Sequence, residues 1–349
     1  MSGKMKAAVM TKIREVEIQT IDIPVIEADE VLIKVAAVGV CGSDVHYYES
    51  GRIGDFIVEN PIILGHELAG EIVEVGKDVT GLATGDRVAV EPGVTCGRCE
   101  YCKEGRYNLC PDVVFYATPP IDGAFCEYVK IRQDFAFKIP ESLSYEEAAM
   151  IEPFSVGIHA ANRTGLKTGQ TVAILGMGPV GLLAVVAAKE YGASQIIVSD
   201  LEPKRLEIAK KLGATDTINI RETDATDAIK QLTDGKGVDV AWETAGHPSA
   251  LKTALASVRR GGKVGLVGMP KELEIPINIH AITGGEVDIV GIFRYCNTYP
   301  TAVNILSSGK YDIQALMTHS YSLDETQAAL EEAMTNKSEA IKVVVYPQK

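Results

Sequence analysis

Four cysteines fall inside one short stretch of the chain, as Cys96-x-x-Cys99-x-x-Cys102-x7-Cys110. The whole sequence has only 7 cysteines in 349 residues. At that density a C-x-x-C-x-x-C run arises by chance about 0.003 times per chain, and the fourth cysteine completes a tetrahedral set of thiolates. The stretch therefore reads as a structural zinc lobe. A closed four-thiolate site leaves the metal no open position, so it holds the fold and does no Lewis-acid chemistry. The alternatives for the same spacing are an iron–sulfur cluster and a nucleic-acid zinc ribbon, and the acidic charge of the chain opposes the ribbon.

A second stretch has the residue types for holding a nucleotide. Thr171-Val-Ala-Ile-Leu-Gly176-Met-Gly178-Pro179-Val180-Gly181 is a β-branched apolar run followed by G-x-G-x-x-G. The glycines permit a tight turn and close backbone approach to a pyrophosphate, which the N-terminus of the next helix then faces. With 33 glycines in the chain, such a triplet alone is a weak signal. Its context strengthens it: a further apolar run from Gln195 ends in Asp200, the place of an acidic side chain that hydrogen-bonds the adenosine ribose. The uncharged run from Thr171 to Ala188 is long enough for a membrane span, but three glycines and Pro179 interrupt it. A strand plus a buried helix accounts for the same composition.

The elements that must position these residues follow from pattern. Residues 5 to 40 alternate in strand fashion, and strand patterns recur at Gly70–Gly76, at Gly85–Val90 and between Ala124 and Ile139. Between them, at turns, stand Cys41, His66 and Glu67, each of which read singly is also an ordinary buried or surface residue. The segment Ser144–His159 reads as helix on both sides of a kink at Pro153. From 171 to 293 strands near 171, 195, 216, 238, 263 and 287 alternate with helices such as Pro203–Leu212 and Pro248–Val258. Six strands with helical crossovers predict a doubly wound parallel sheet, so the fold class is α/β with a mostly-β first domain. A helix over Asp324–Asn336 and a last strand over Ile341–Tyr346 are expected to return to that first domain.

Composition excludes some functions. A net charge of -13 opposes nucleic-acid binding, and 46% hydrophobic with 23% charged residues is ordinary globular composition. The N-terminal Met1-Ser-Gly-Lys-Met-Lys lacks a long apolar core for a signal peptide, which makes a cytoplasmic location, away from any membrane, the expectation.

Together these motifs resemble the zinc-dependent medium-chain alcohol dehydrogenases, and within them the polyol-oxidising branch. The residues that carry the likeness are Gly39-Val-Cys41-Gly-Ser43-Asp-Val-His46, Gly65-His66-Glu67, the cysteine lobe, Ala117–Pro120, Ile151-Glu152-Pro153, Gly176–Gly181 and Phe293-Arg294-Tyr295-Cys296-Asn297-Thr298. The resemblance implies a GroES-like catalytic domain over 1–155, including the zinc lobe at 96–110, a Rossmann domain over 156–293, and a segment 294–349 returning to the first. It implies hydride transfer from a secondary hydroxyl of a sugar alcohol such as sorbitol or xylitol to NAD, with two zinc ions per chain and commonly a homotetramer. Cys41, His66 and Glu67 would bind the catalytic zinc. Ser43 and His46 would relay the proton, and Tyr47, Phe115, Thr118, Glu152, Arg294 and Tyr295 would line the substrate site. The cofactor would contact Gly176, Gly178, Pro179, Val180, Gly181, Asp200, Arg205, Val267, Gly268, Met269, Ile292, Phe293 and Arg294. Many alcohol dehydrogenases carry a second catalytic cysteine where this chain has Glu152, which leaves open whether Glu152 is a direct ligand. A threonine- or butanediol-type zinc dehydrogenase is the alternative enzyme, and a dinucleotide-binding protein without turnover is the alternative outside catalysis.

Overall fold

The computed structural model describes residues 3–272 and 274–349. The chain divides into two compact units, one running to Glu152 and taking in Tyr299–Lys349, the other Pro153–Thr298.

The first unit is built on a sheet of seven strands. Its centre is Glu30–Gly39, where Val31, Leu32, Ile33, Val35 and Val38 are all fully buried. This strand pairs antiparallel with Glu67–Val75 on one side and with Lys342–Tyr346 on the other. The registers set Gly39 opposite both Glu67 and Val344, so residues far apart in sequence meet at one end of the sheet. Directly after that end the chain enters the helix Gly42–Ser50, which stops at Gly51 in the left-handed conformation (φ 69°). Ser43, His46 and Tyr47 thus lie on a helix, and Glu67 is the first residue of its strand rather than part of a turn.

The second unit is a six-stranded sheet in the order Asp216–Asn219, Gln195–Asp200, Thr171–Leu175, Val238–Glu243, Val258–Leu266, Asp288–Gly291. Every neighbouring pair is parallel, as the alternation of strand and helix predicts. The order changes direction at Thr171–Leu175, and in doubly wound sheets nucleotides bind beyond the carboxyl ends of strands at such a point. Val172, Ala173 and Ile174 are fully buried, and the helix Pro179–Glu190 is buried from Gly181 to Ala188, which explains the uncharged run. No helix among the described residues is long and apolar enough to cross a membrane.

The kink expected at Pro153 is not where the helix breaks. The helical break falls at Met150, between Tyr145–Ala149 and Ile151–Thr164, and Pro153 sits in the first turn of the second helix. There its missing N–H removes no intrahelical hydrogen bond.

Candidate metal centres and cofactor site

Cys96, Cys99, Cys102 and Cys110 place their sulfurs within 4.8 Å of one another. The Cys99–Cys102 and Cys96–Cys102 sulfur separations are 3.4 and 4.0 Å. Those values bracket the roughly 3.8 Å edge of a tetrahedron with zinc–sulfur bonds of about 2.3 Å. Backbone N–H groups of Arg98 and Cys99 pull the Cys96 thiol down to about 7. Against the Cys102 N–H, burial and the neighbouring thiols push Cys99 up to about 12, and burial pushes Cys110 up. Full deprotonation of the set therefore goes with metal binding. The donor set fits zinc.

The lobe is tied to the rest of its unit by Tyr107, whose hydroxyl donates to Glu91 Oε1 at 2.7 Å. Glu91 is 3% exposed, and burial pushes its carboxyl up to about 7 against the opposing Tyr107 bond, with Glu152 and Asp134 adding to the rise. A carboxyl raised in the folded state carries no penalty below about pH 4.5, where both states are protonated. Between there and pH 7 the folded state holds the extra proton, so stability falls as pH rises. Glu91→Gln should accordingly match the wild type at pH 4.5 and exceed it at pH 8 by on the order of 2–3 kcal/mol. Urea unfolding at the two pH values checks this, and an equal difference at both would contradict it.

A second set, Cys41, His66 and Glu67, also has donor atoms within 4.8 Å of one another. Cys41 caps the helix Gly42–Ser50, and its N–H donates to Asp44 Oδ2 at 2.9 Å. Asp44 is fully buried; its Oδ1 accepts the Gly65 N–H at 2.9 Å and lies 3.6 Å from His66 Nδ1. One carboxylate therefore fixes the backbone on both sides of the set and faces the imidazole, the arrangement that orients metal-ligating histidines. For the His66 ring, burial opposes the charged form, but the neighbouring Cys41 and Asp44 outweigh it and raise its proton affinity. Glu67, 1% exposed, accepts from Lys342 Nζ at 2.5 Å through Oε2. Glycine at 39 makes room for it, because a Cβ there would overlap Glu67 Oε2 and come within 3.1 Å of Met150 Cε. Three protein ligands, one thiolate, one imidazole and one carboxylate, fit a catalytic zinc with a position left open.

The other site residues distribute as follows. Glu152 is 6% exposed at the start of Ile151–Thr164 and lies outside the set that shares the 4.8 Å limit. Phe115 stacks obliquely on His66, with ring centroids 5.7 Å apart, and Thr118 N–H donates to the Phe115 carbonyl. Ser43 and His46 stand three residues apart on their helix and so share a face, with Tyr47 buried beside them. In the second unit Tyr295 is buried, while Arg294 adopts φ 52° with its guanidinium 4.9 Å from the Phe293 ring centre.

At the nucleotide loop Gly176 has φ +108°, and a Cβ on Gly181 would overlap the Gly176 carbonyl, whereas the space beside Gly178 is open. Pro179 and Val180 begin the helix that points at that space. Asp200 Oδ2 accepts the Met177 N–H at 2.6 Å and Oδ1 the Glu202 N–H at 2.8 Å, fixing the carboxylate at the strand end. Arg205 lies on Pro203–Leu212. Val267, Gly268 and Met269 follow Val258–Leu266; Ile292 and Phe293 follow Asp288–Gly291.

The chain matches the alcohol dehydrogenase GroES-like domain over residues 27–141 and the zinc-binding dehydrogenase model over residues 179–308. It is 65% identical to a sorbitol dehydrogenase of Bacillus subtilis, covering 99% of this chain and 98% of that one. The chain belongs to the zinc-binding dehydrogenase family. It is also 42% identical to a sorbitol dehydrogenase of Gallus gallus, over 99% of this chain and 97% of the relative. An Escherichia coli oxidoreductase of unknown specificity has the same fold, with TM-score 0.95, 42% identity and 99% of each chain covered. Asp44, Gly39 and Lys342 are the members of the site that sequence reasoning did not assign. Only the position of Asp44, three residues into the helix that Cys41 caps, carried a local signal.

Proposed function

We propose that this protein is an NAD-dependent zinc polyol dehydrogenase, oxidising a secondary hydroxyl of a sugar alcohol such as sorbitol or xylitol to the ketose. The observation that carries the reading is the three-donor set Cys41, His66 and Glu67, in a chain whose similarity to sorbitol dehydrogenases runs end to end. A zinc ion with one open position supplies the chemistry an alcohol needs near neutrality, since it lowers the pKa of a bound hydroxyl by many units. Asp44, facing His66 Nδ1, would keep the imidazole oriented as a zinc ligand. The Glu152 carboxylate accepts a hydrogen bond from the substrate and orients it, while Ser43 and His46 carry the hydroxyl proton outward along one helix face. Phe115 walls the position against water, and Tyr47, Thr118, Arg294 and Tyr295 recognise the substrate. A polyol needs such polar partners, because each hydroxyl buried without one costs roughly 1–3 kcal/mol. Initial rates with sorbitol, xylitol, galactitol, ribitol, threonine and 2,3-butanediol test the substrate class. Highest catalytic efficiency on threonine or 2,3-butanediol would overturn it.

NAD is the proposed cofactor, its ribose held by Asp200 and Arg205 and its pyrophosphate at Gly176–Gly181. A fixed carboxylate at Asp200 repels the 2′-phosphate of NADP, which at an effective dielectric of about 20 should favour NAD by at least ~100-fold in efficiency, less what Arg205 offsets. Asp200→Ala should narrow the ratio; equal efficiency with both cofactors in the wild type would contradict the assignment. A homo-oligomer, a tetramer by family likeness, is also proposed, supported by the strand Asp288–Gly291 ending its sheet with Ile289 38% exposed.

A further inference from the structure

Lys342 is 1% exposed, and its ammonium is compensated by Glu67 Oε2 at 2.5 Å and the Val40 carbonyl at 3.1 Å. A buried ammonium is costly unless paired, and its partner here is also the carboxylate of the metal-competent set. An ammonium and a divalent cation thus bear on one side chain. Without metal, Glu67 would be a buried anion beside the Cys41 thiol, and Lys342 supplies the counter-charge that keeps it in place. With metal, Lys342 still draws on the same Glu67 carboxylate and so weakens its hold on the ion. The pairing follows from the strand order, because Lys342–Tyr346 and Glu67–Val75 flank Glu30–Gly39 on opposite sides.

We propose that Lys342 is a positioning residue that acts as the built-in counter-cation of Glu67, holding the carboxylate ready when the metal is absent and, by sharing it, limiting how tightly a divalent cation is held. The inference rests on the reading that Cys41, His66 and Glu67 hold a zinc ion.

The test uses the full-length chain with zinc retained in the four-cysteine lobe, at pH 8, comparing wild type, Lys342→Met, Lys342→Arg and Lys342→Met/Glu67→Gln. Two quantities are read: the melting temperature before and after zinc is restored to the three-donor site, and the zinc dissociation constant there by competition with a chromophoric chelator. Lys342→Met should melt well below wild type when metal-depleted, regain most of that loss with zinc, and bind zinc at least ~10-fold more tightly. Lys342→Arg should stay close to wild type. The double variant should melt above Lys342→Met in the metal-depleted state, because no buried anion is left unpaired. An equal loss in depleted and loaded protein, no recovery in the double variant, or unchanged or weaker zinc binding by Lys342→Met would overturn the proposal. If the wild type takes up only the zinc of the cysteine lobe, the metal-site reading itself fails.

Discussion

Glu152→Gln is expected to keep both zinc ions on each chain while lowering polyol turnover by about 100-fold, the cost of displacing a reacting group by about 1 Å. The expectation follows from where the two buried carboxylates stand. Glu67 lies within the 4.8 Å set with Cys41 and His66; Glu152, 6% exposed, lies outside it. With three ligands already present, a fourth protein ligand would close the position that catalysis needs. Glutamine keeps the shape of Glu152 but loses the charged acceptor, so substrate binding should weaken less than turnover. Glu67→Gln should behave in the opposite way, losing zinc from this site on dialysis and leaving Lys342 without its counter-ion. Metal analysis of the two variants decides between the roles, and zinc loss from Glu152→Gln with retention in Glu67→Gln would reverse the assignment.

How far the sequence revealed this arrangement depends on the range of each interaction. The six parallel strands were legible because each is a short apolar run joined to the next by helical periodicity, and Gly176, Gly181 and Asp200 sit at fixed offsets within one such unit. The cysteine lobe was legible because all four donors fall in one local stretch. Gly39, Asp44 and Lys342 were not. Gly39 matters through its register with Glu67, and Lys342 meets Glu67 across 275 positions, so a glycine at a strand end and a lysine in an apolar strand announce no partner. The helix Gly42–Ser50 carries little helical signal, since Gly42, Ser43 and Asp44 are turn formers and the helix is only nine residues long.

Cys99→Ser is expected to act on stability before activity. Removing one of four thiolates opens the lobe and weakens its zinc, whose binding energy in such sites is folding energy. The effect should spread through the Tyr107–Glu91 bond at 2.7 Å, which ties the lobe to the strand region at Val90. A loss of about 3–5 kcal/mol, or roughly 10 °C in melting temperature at fixed scan rate, is the expected size. Protein held well below its melting temperature should keep a measurable rate on sorbitol. Unchanged melting together with abolished turnover would mean that the lobe serves the chemistry and not the fold.

If Cys41, His66 and Glu67 hold the zinc on which polyol oxidation depends, metal content measured beside sorbitol-dependent NAD reduction in Cys41→Ser is the decisive experiment. One zinc per chain should remain, in the four-cysteine lobe, with turnover lost and the melting temperature close to wild type. Two zinc ions per chain with a wild-type rate would contradict the assignment.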